Sequence, residues 1–263
     1  MSRIEVLVAC MHQKDDSLYQ KMNLHTDTVL ANQCDTYTYD EYRQADGNLV
    51  KLVSTHDRGV GKNRNKALMF ATGEILMCAD QDMVYVDNYA QIVEKAFCQC
   101  PKADIIVFRL QYLNTFIQPK KSVNKIKKVR LWNSLRYGTA RVAIRKSAID
   151  KACLSFSTLY GGGAKYSSGE DSLFIREALR KGLKMYASPE IIAQVKQETS
   201  SWFKGYDERY FIDKGILIAN AFPALKHLLI YYYSYTLRKR SKDFGFIRIY
   251  KLMKLGYKEF KNI

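Results

Sequence analysis

Short apolar runs alternate with polar, glycine-containing segments along most of the chain. Runs that suit buried strands, rich in apolar and β-branched side chains, cover residues 4–10, 28–31, 49–55, 75–79, 104–110 and 140–144. Stretches that suit helices cover residues 18–22, 66–71, 88–98, 145–154 and 172–181. Unbroken apolar strands are typical of parallel sheets that helices cover on both faces. The pattern therefore predicts an α/β fold with a Rossmann-like, mostly parallel sheet flanked by helices.

The C-terminal part of the chain follows a different pattern. Residues 216–235 are apolar, but Pro223 and Lys226 interrupt them, whereas a spanning helix needs about 20 mostly apolar residues. Beyond them, lysines recur at helical spacing among aromatic residues, as in helices that lie among lipid headgroups. We predict a catalytic domain over residues 1–214 and a basic, aromatic helical tail over residues 215–263 that binds an anionic membrane surface. A helical pair packed on the domain, with solvated cations, is the alternative.

Composition narrows the class of protein. A hydrophobic content of 47% over 263 residues indicates a globular chain. The six cysteines form no Cys-x-x-Cys pair, which favours reduced core thiols in the cytosol. The chain enters its first strand too early for a signal peptide, so we predict a cytoplasmic location. A net charge of +16 requires an anionic partner, for which nucleic acid, an anionic membrane and a phosphorylated substrate all qualify.

Two acids follow the apolar run 75–79. Asp80 and Asp82, with Gln81 between them, come where the chain leaves the sheet. Open α/β sheets bind ligands outside the carboxyl ends of their strands. Two carboxylates there could hold a Mg²⁺ or Mn²⁺ ion that in turn binds a diphosphate, because these ions use few protein ligands. A solvated turn explains the same residues equally well.

A basic, glycine-containing segment precedes the helix predicted at residue 66. Its glycines permit close approach of a ligand to the backbone, and Arg58, Lys62 and Arg64 place cations at a helix N-terminus. The helix dipole would repel these cations unless an anion lay between them. The glycine spacing fits neither a Walker loop nor a dinucleotide-binding fingerprint. A second cation-rich segment, residues 116–130, contains no acid and predicts an exposed basic insertion.

Two further sets of polar residues are candidates for chemistry. Glu170 and Asp171 open a predicted helix, where acids offset the helix dipole and Ser168 with Asp171 resembles a capping box. The functional alternative is a carboxylate that takes a proton from an attacking hydroxyl. Gln33 and Asp35 follow the second strand. They could form hydrogen bonds with the base of a nucleotide, and a turn explains them equally well.

Four blocks in this order resemble the family 2 glycosyltransferases, which are inverting enzymes of the GT-A fold. The blocks are residues 4–10, 58–65, 72–82 and 169–171, and the resemblance covers roughly residues 1–210. It implies transfer of a sugar from a nucleotide-sugar donor, with UDP favoured, to a hydroxyl of a saccharide or a polyprenyl-linked saccharide. Many bacterial members do this in surface polysaccharide synthesis at the inner face of the cell membrane, which implies a peripheral membrane location.

The resemblance also implies roles for individual residues. Asp171 matches the catalytic base. Asp80 and Asp82 match the acids that bind the donor and its Mn²⁺ or Mg²⁺, with Asp82 favoured as the direct metal ligand. Arg64 and Asn65 match a donor-binding pair. The other donor candidates are Met11, His12, Gln33, Asp35, Arg58, Lys62 and Gln81.

Candidates for the acceptor side are Glu170 and Trp202, since an indole offers a plane on which a sugar can stack. Trp202 serves equally well as an ordinary buried aromatic residue. The sequence departs from the family near residue 197, where a histidine that binds the metal is common and this chain has Gln197 and Glu198. The third protein contact of the metal is therefore open.

Two rival functions remain at this point. The charge of +16 and the 19 tyrosines also suit a nucleic-acid-binding protein, which would need no acidic pair at a sheet edge. A nucleotidyltransferase would share the fold class and the metal-binding acids but would release pyrophosphate. We favour the glycosyltransferase, with no nucleic-acid partner, because its four blocks occur together and in order.

Overall fold

A computed structural model describes residues 2–113, 124–195, 205–241 and 243–261. The chain forms two compact units. The first comprises Met1–Thr158 and Glu170–Thr199, and the second comprises Leu159–Gly169 and Ser200–Ile263. This division differs from the predicted boundary at residue 214, because one helix, Glu208–Ala221, runs through that position.

The first unit contains one ten-stranded mixed sheet. Its strands follow one another in the order β3-β4-β2-β1-β5-β9-β7-β10-β6, and β8 pairs with β10. Their bounds are β1 Ile4–Met11, β2 Asp27–Gln33, β3 Thr38–Arg43, β4 Leu49–Thr55, β5 Ile75–Asp80, β6 Met83–Tyr85, β7 Ile105–Tyr112, β8 Lys127–Val129, β9 Val142–Arg145 and β10 Met185–Val195.

The parallel part of the sheet holds the strands that the apolar runs predict. β4, β2, β1 and β5 lie side by side and parallel, so the loops after them meet at one edge. β7 and β10 are also parallel, whereas β9 runs antiparallel between β5 and β7. The remaining strands, β3, β6 and β8, are antiparallel additions. β8 lies within the basic insertion predicted over residues 116–130: its Lys127 and Lys128 are exposed, as predicted, and Val129 is buried. Residues 116–123 of that prediction lie outside the described residues.

Helices cover both faces of this sheet. They are α1 Leu18–Lys21, α2 Val60–Phe70, α3 Tyr89–Gln99, α4 Lys146–Ala152 and α5 Glu170–Arg180, with a 3-10 helix at Leu131–Arg136. Side chains of β1 alternate between two cores: Val6 and Val8 pack with Val93 of α3, and Leu7 packs in the cluster that contains Phe174 of α5. This alternation confirms that the central strands are buried on both sides.

Helix α2 begins at Val60, six residues earlier than its apolar pattern predicts. A side chain at Gly61 would place its Cβ 2.1 Å from the carbonyl oxygen of Ser157, so only glycine permits this packing. Lys62 and Arg64 therefore lie within the helix instead of before it. From its position in the helix, the side chain of Arg64 reaches Asp80 and Asp171.

A buried ion pair lies under the amino ends of the central strands. Glu5 of β1 is fully buried, and Lys51 of β4 donates to its carboxylate at 3.3 Å. The second oxygen of Glu5 accepts from the backbone N–H groups of Thr72 and Gly73 at 2.6 Å. Lys51 also donates to the Phe70 carbonyl at 2.9 Å. The pair thus joins two strands to the segment between α2 and β5.

The second unit is built from three helices, α6 Glu208–Ala221, α7 Lys226–Leu237 and α8 Phe246–Lys261. α6 and α8 touch at backbone level: a Cβ at Gly215 would lie 2.1 Å from the Met253 carbonyl oxygen, and one at Gly256 would lie 2.0 Å from that of Ile212. Phe211 and other buried apolar side chains fill the space around this crossing. Among the described residues, no helix is both long and apolar enough to cross a membrane.

Loop residues 159–169 pack on α6 within the second unit. Asp213 is buried and accepts from the backbone N–H of Ser167 at 2.8 Å, while Arg209 pairs with its other oxygen at 2.9 Å. Asn220 donates to the hydroxyl of Tyr160 at 3.1 Å. These polar contacts help to hold the glycine-rich segment against α6.

We expect Glu5→Ala to lower the free energy of unfolding by about 3–5 kcal/mol, because the variant leaves the buried ammonium of Lys51 without its counter-charge. Urea denaturation followed by circular dichroism measures the change. The control is Asp150→Ala, which breaks the exposed pair with Lys146 on α4 and should cost less than about 0.5 kcal/mol. Equal losses in the two variants would contradict this account of the Glu5 pair.

Candidate active site

The guanidinium of Arg64 lies at the centre of a cluster of carboxylates. Arg64 on α2 has only 7% of its side chain exposed. Its Nη2 donates to Asp80 at 3.0 Å, and its Nη1 donates to Asp171 and lies 3.4 Å from Glu170. One side chain therefore connects the acid that ends β5 with the two acids that open α5. The two acidic motifs of the sequence, far apart along the chain, meet at one place.

Two further residues complete the surroundings of Arg64. The hydroxyl of Thr139, which is fully buried, donates to the same Asp171 oxygen that Arg64 binds. The guanidinium also lies over the ring of Phe156, 5.4 Å from its centroid, and Phe156 stacks on Phe174 of α5. Asp171 is thus held at its Oδ1 atom by a cation and a hydroxyl.

Electrostatics favour the charged form of this arginine. Burial of the guanidinium opposes its charge, but the attraction of Asp171, Asp80 and Glu170 outweighs that cost and raises the pKa of Arg64 above its ordinary value. Arg64 therefore remains a cation at any working pH. Two of its nitrogens bind carboxylates in this structure, and its contact with the donor stays a prediction.

In the Asp80-Gln81-Asp82 turn, by contrast, the surroundings disfavour the charged form of an acid. Asp82 lies at the surface, and desolvation together with the charge of Asp80 raises its pKa above the ordinary value. Gln81 accepts from the backbone N–H of Met11 at 2.9 Å, which joins the turn to the loop after β1. Asp82 thus carries a negative charge that its surroundings disfavour.

The two acids of this turn fit a divalent cation, although they do not form a complete protein site. Carboxylate oxygens are the ligands that Mg²⁺ and Mn²⁺ prefer. Desolvation and the charge of Asp80 raise the pKa of Asp82, and a bound cation would offset both effects. Within the described residues, no group of three or more His, Cys, Asp or Glu side chains is placed to hold a metal. A metal here would need water or substrate oxygens as well.

Several donor candidates are engaged in bonds that shape the loops. Gln33 is buried, and its Oε1 accepts from the backbone N–H of Gly59 at 2.9 Å. Asn65 uses both ends of its amide on the backbone of Phe156, at 2.7 and 2.8 Å. These amides fix the loops at the sheet edge, which is a structural task that their sequence positions do not reveal.

Other candidates lie exposed at the same edge. Asp35 pairs with Arg58 at 2.5 Å and lies 3.8 Å from His56. His12 and Lys62 are exposed, and the N–H of His12 donates to the Gln33 carbonyl at 3.0 Å. Trp202, Gln197 and Glu198 lie outside the described residues, so their predicted roles stay predictions.

Thr139 and Phe156 are site residues that the sequence reasoning missed. Neither belongs to a charged motif, and each lies in a connecting segment between predicted elements. Gly138 gives the one local signal, because a Cβ there would lie 3.0 Å from Oδ2 of Asp171. A glycine beside a polar residue before a strand is too common a pattern to identify a site residue from sequence.

We expect Asp82→Asn to stabilise the metal-free protein at pH 7. An acid whose pKa is raised on folding costs stability above that pKa, and the cost disappears below its ordinary value of about 3.9. The melting temperature of the variant should therefore exceed that of the parent at pH 7, and the difference should shrink as the pH falls and vanish about one unit below the ordinary pKa. Asp40→Asn, at an exposed position of β3, is the control. A lower melting temperature for Asp82→Asn at pH 7 would contradict the electrostatic argument.

Comparison with solved structures identifies the fold. S. aureus TarS 1–349 in complex with UDP-GlcNAc superposes with a TM-score of 0.65 at 17% identity, over 93% of this chain and 75% of that one. The same protein in complex with UDP gives a TM-score of 0.61 at 16% identity, over 90% of this chain and 72% of that one. At this identity the likeness shows the fold, and it confirms the predicted GT-A architecture.

Sequence comparison gives a more specific result for part of the chain. A search of curated proteins finds no match. The model described as glycosyl transferase family 2 matches residues 37–154, which include Arg64, Asp80 and Asp82 but not Asp171. This match confirms the family resemblance over residues 37–154, which hold two of the four blocks, and that part of the chain is similar to glycosyl transferase family 2.

Proposed function

We propose that this chain is an inverting glycosyltransferase that moves a sugar from a UDP-linked donor to a hydroxyl of an acceptor. The observation that carries the proposal is the bridge from Asp80 through Arg64 to Asp171, because it brings a donor-binding acid and a candidate base to one site. The complexes of TarS with UDP-GlcNAc and UDP support a uridine nucleotide for a chain of this fold. The transferred sugar is a hexose or a close relative in this proposal.

Asp171 is the general base of the proposed reaction. Arg64 and Thr139 both bind its Oδ1, whereas no described residue donates to its Oδ2. The acceptor proton therefore passes to Oδ2 as the acceptor oxygen bonds to the anomeric carbon and the bond from that carbon to the diphosphate breaks. One attack from the opposite face inverts the anomeric centre. Glu170 and Trp202 are the proposed contacts on the acceptor side.

The donor diphosphate would lie at the other acid pair. Asp82, with Asp80, would hold a Mn²⁺ or Mg²⁺ ion, and such an ion supplies Lewis-acid stabilisation of the charge on the departing diphosphate. Arg58 and Lys62 are exposed cations on the same edge that would contact phosphate oxygens. Met11, His12 and Asp35 would contact the base and ribose. Arg64 positions the acids in this scheme, because carboxylates occupy its Nη atoms.

We propose a saccharide or a polyprenyl-linked saccharide as acceptor, in the synthesis of a bacterial surface polysaccharide. A lipid-linked acceptor would place the protein at the cytoplasmic face of the cell membrane as a peripheral protein. The net charge of +16 supports an anionic surface as partner.

We expect Asp171→Asn to lower kcat about 10²-fold or more while UDP binding stays within about twofold of the parent, because an amide cannot accept the proton. Release of UDP from a panel of UDP-sugars in the presence of acceptor measures turnover, and calorimetry measures binding. Glu177→Gln, on the exposed face of the same helix, should keep parental turnover. Parental turnover in Asp171→Asn would remove Asp171 as the base, and release of pyrophosphate would indicate a nucleotidyltransferase instead.

We expect Asp82→Ala to abolish the part of UDP binding that depends on Mn²⁺, since it removes the main proposed ligand of the ion. Titration calorimetry of UDP with and without Mn²⁺ separates this part from metal-independent binding. The control is Asp150→Ala, at an exposed position on α4, which should retain the parental response to Mn²⁺. A parental protein that binds UDP equally with and without the ion would refute the metal proposal.

A further inference from the structure

Helix α7 presents a row of large apolar and aromatic side chains to solvent. Leu228, Tyr231, Tyr232 and Tyr235 are 66%, 56%, 56% and 45% exposed, and their spacing places them on one face of the helix. Isolated exposed residues of this kind are ordinary, but a contiguous group indicates a binding surface. α7 contains no acid that would keep this face in water.

The row continues onto helix α8. The ring of Tyr231 packs edge-on against Phe246, 5.3 Å between centroids, and Ile247 beside it is 67% exposed. Phe246 and Ile247 line an open apolar cavity of about 790 Å³ together with Gly245, Arg248, Lys251 and Leu252. The apolar surface therefore extends across two helices of the second unit and ends at basic residues.

Cations surround this surface with few acids to balance them. Residues 225–261 contain ten lysines or arginines and two acids, which gives half of the chain's net charge of +16 in about a seventh of its length. Among the described cations of this segment, Arg248 pairs with Glu208 at 2.7 Å. Arg238 instead lies over the ring of Tyr235, 4.3 Å from its centroid. Aromatic residues and unbalanced positive charge thus occupy the same face.

We propose that this surface, the tail surface, docks on an anionic lipid bilayer. It consists of Leu228, Tyr231, Tyr232, Tyr235, Ile247, Arg238, Lys239, Arg240 and Lys251. Tyrosine rings are amphipathic and favour the layer between headgroups and acyl chains, and cations beside them gain from anionic lipid. Helices that carry an apolar face beside basic residues bind in the headgroup layer, parallel to the membrane, and we expect α7 and α8 to bind in this way.

Charge complementarity and apolar content together favour a bilayer over other anionic partners. A duplex nucleic acid would use the cations but would leave the exposed Leu228 and Ile247 in water. A second copy of the chain would use the apolar side chains but would bring two basic surfaces together. This inference deepens the proposed location at a membrane, and it does not depend on the donor chemistry.

The test is binding of the full chain to lipid vesicles. The parent should cosediment with vesicles that contain 30 mol% phosphatidylglycerol, roughly the anionic content at which such basic surfaces bind, and weakly with pure phosphatidylcholine. Replacement of Arg238, Lys239 and Arg240 by glutamine should weaken binding to anionic vesicles about 100-fold, since each cation contributes about fivefold. Replacement of Tyr231, Tyr232 and Tyr235 by serine should weaken binding about 10-fold or more, including at high salt, where cation contacts are screened.

A matched control separates the tail surface from net charge alone. Lys125, Lys127 and Lys128 lie in the first unit, and their replacement by glutamine removes the same charge. This variant should bind anionic vesicles within about threefold of the parent. Equal loss in both charge variants would overturn the proposal, as would unchanged binding in the tyrosine variant.

Two further measurements keep the outcomes distinct. Circular dichroism melting confirms that each variant is folded, and sedimentation of the parent shows whether the tyrosines instead hold two copies together. Dimers that the tyrosine variant abolishes, without vesicle binding by the parent, would overturn the proposal. Turnover is measured separately on soluble acceptor, so a failed glycosyltransferase assay with intact vesicle binding would count against the enzyme proposal alone.

Discussion

The candidate active site depends on one buried cation. Moving a guanidinium out of water costs several kcal/mol, and the cost is recovered only if carboxylates surround it with good geometry. For Arg64 those carboxylates come from β5 and α5, and the arginine itself comes from α2. All three elements must therefore be in place before the charge is compensated. The same requirement keeps the acidic side chains of the site together when no substrate is present.

The fold was largely predictable where burial imposes a simple pattern. β1, β2, β4 and β5 are covered on both faces, so their sequences are unbroken apolar runs. β3 reads Thr-Tyr-Asp-Glu-Tyr-Arg and is almost entirely exposed, so nothing in its pattern distinguishes it from a loop. It becomes a strand because the edge of β4 offers backbone partners. β6 and β8 are three residues each and depend on β10 in the same way.

The candidate site was predictable in its parts but not in its connections. Asp80, Asp82 and Asp171 follow from an acid pair after a strand, an acid pair before a helix and a family resemblance. That Arg64 binds an acid 107 positions away follows only from the tertiary fold. A sequence also does not show whether a cation faces phosphate or carboxylate, or whether an amide such as Asn65 faces a ligand or the backbone. The early start of α2 depends on Gly61 and Ser157, which is again a tertiary contact.

The crossing of α6 and α8 has a consequence for how this sequence can change in evolution. Where the two helices approach most closely, at Gly215 and Gly256, the contact is made by main-chain atoms. Substitution at either glycine would force the helices apart, whereas substitution on their outer sides leaves the crossing untouched. Few substitutions should thus be tolerated at Gly215 and Gly256, and many should be tolerated at the positions around them. The outer side chains of the bundle can therefore change, and with them the surface that it binds, while the helix crossing is kept.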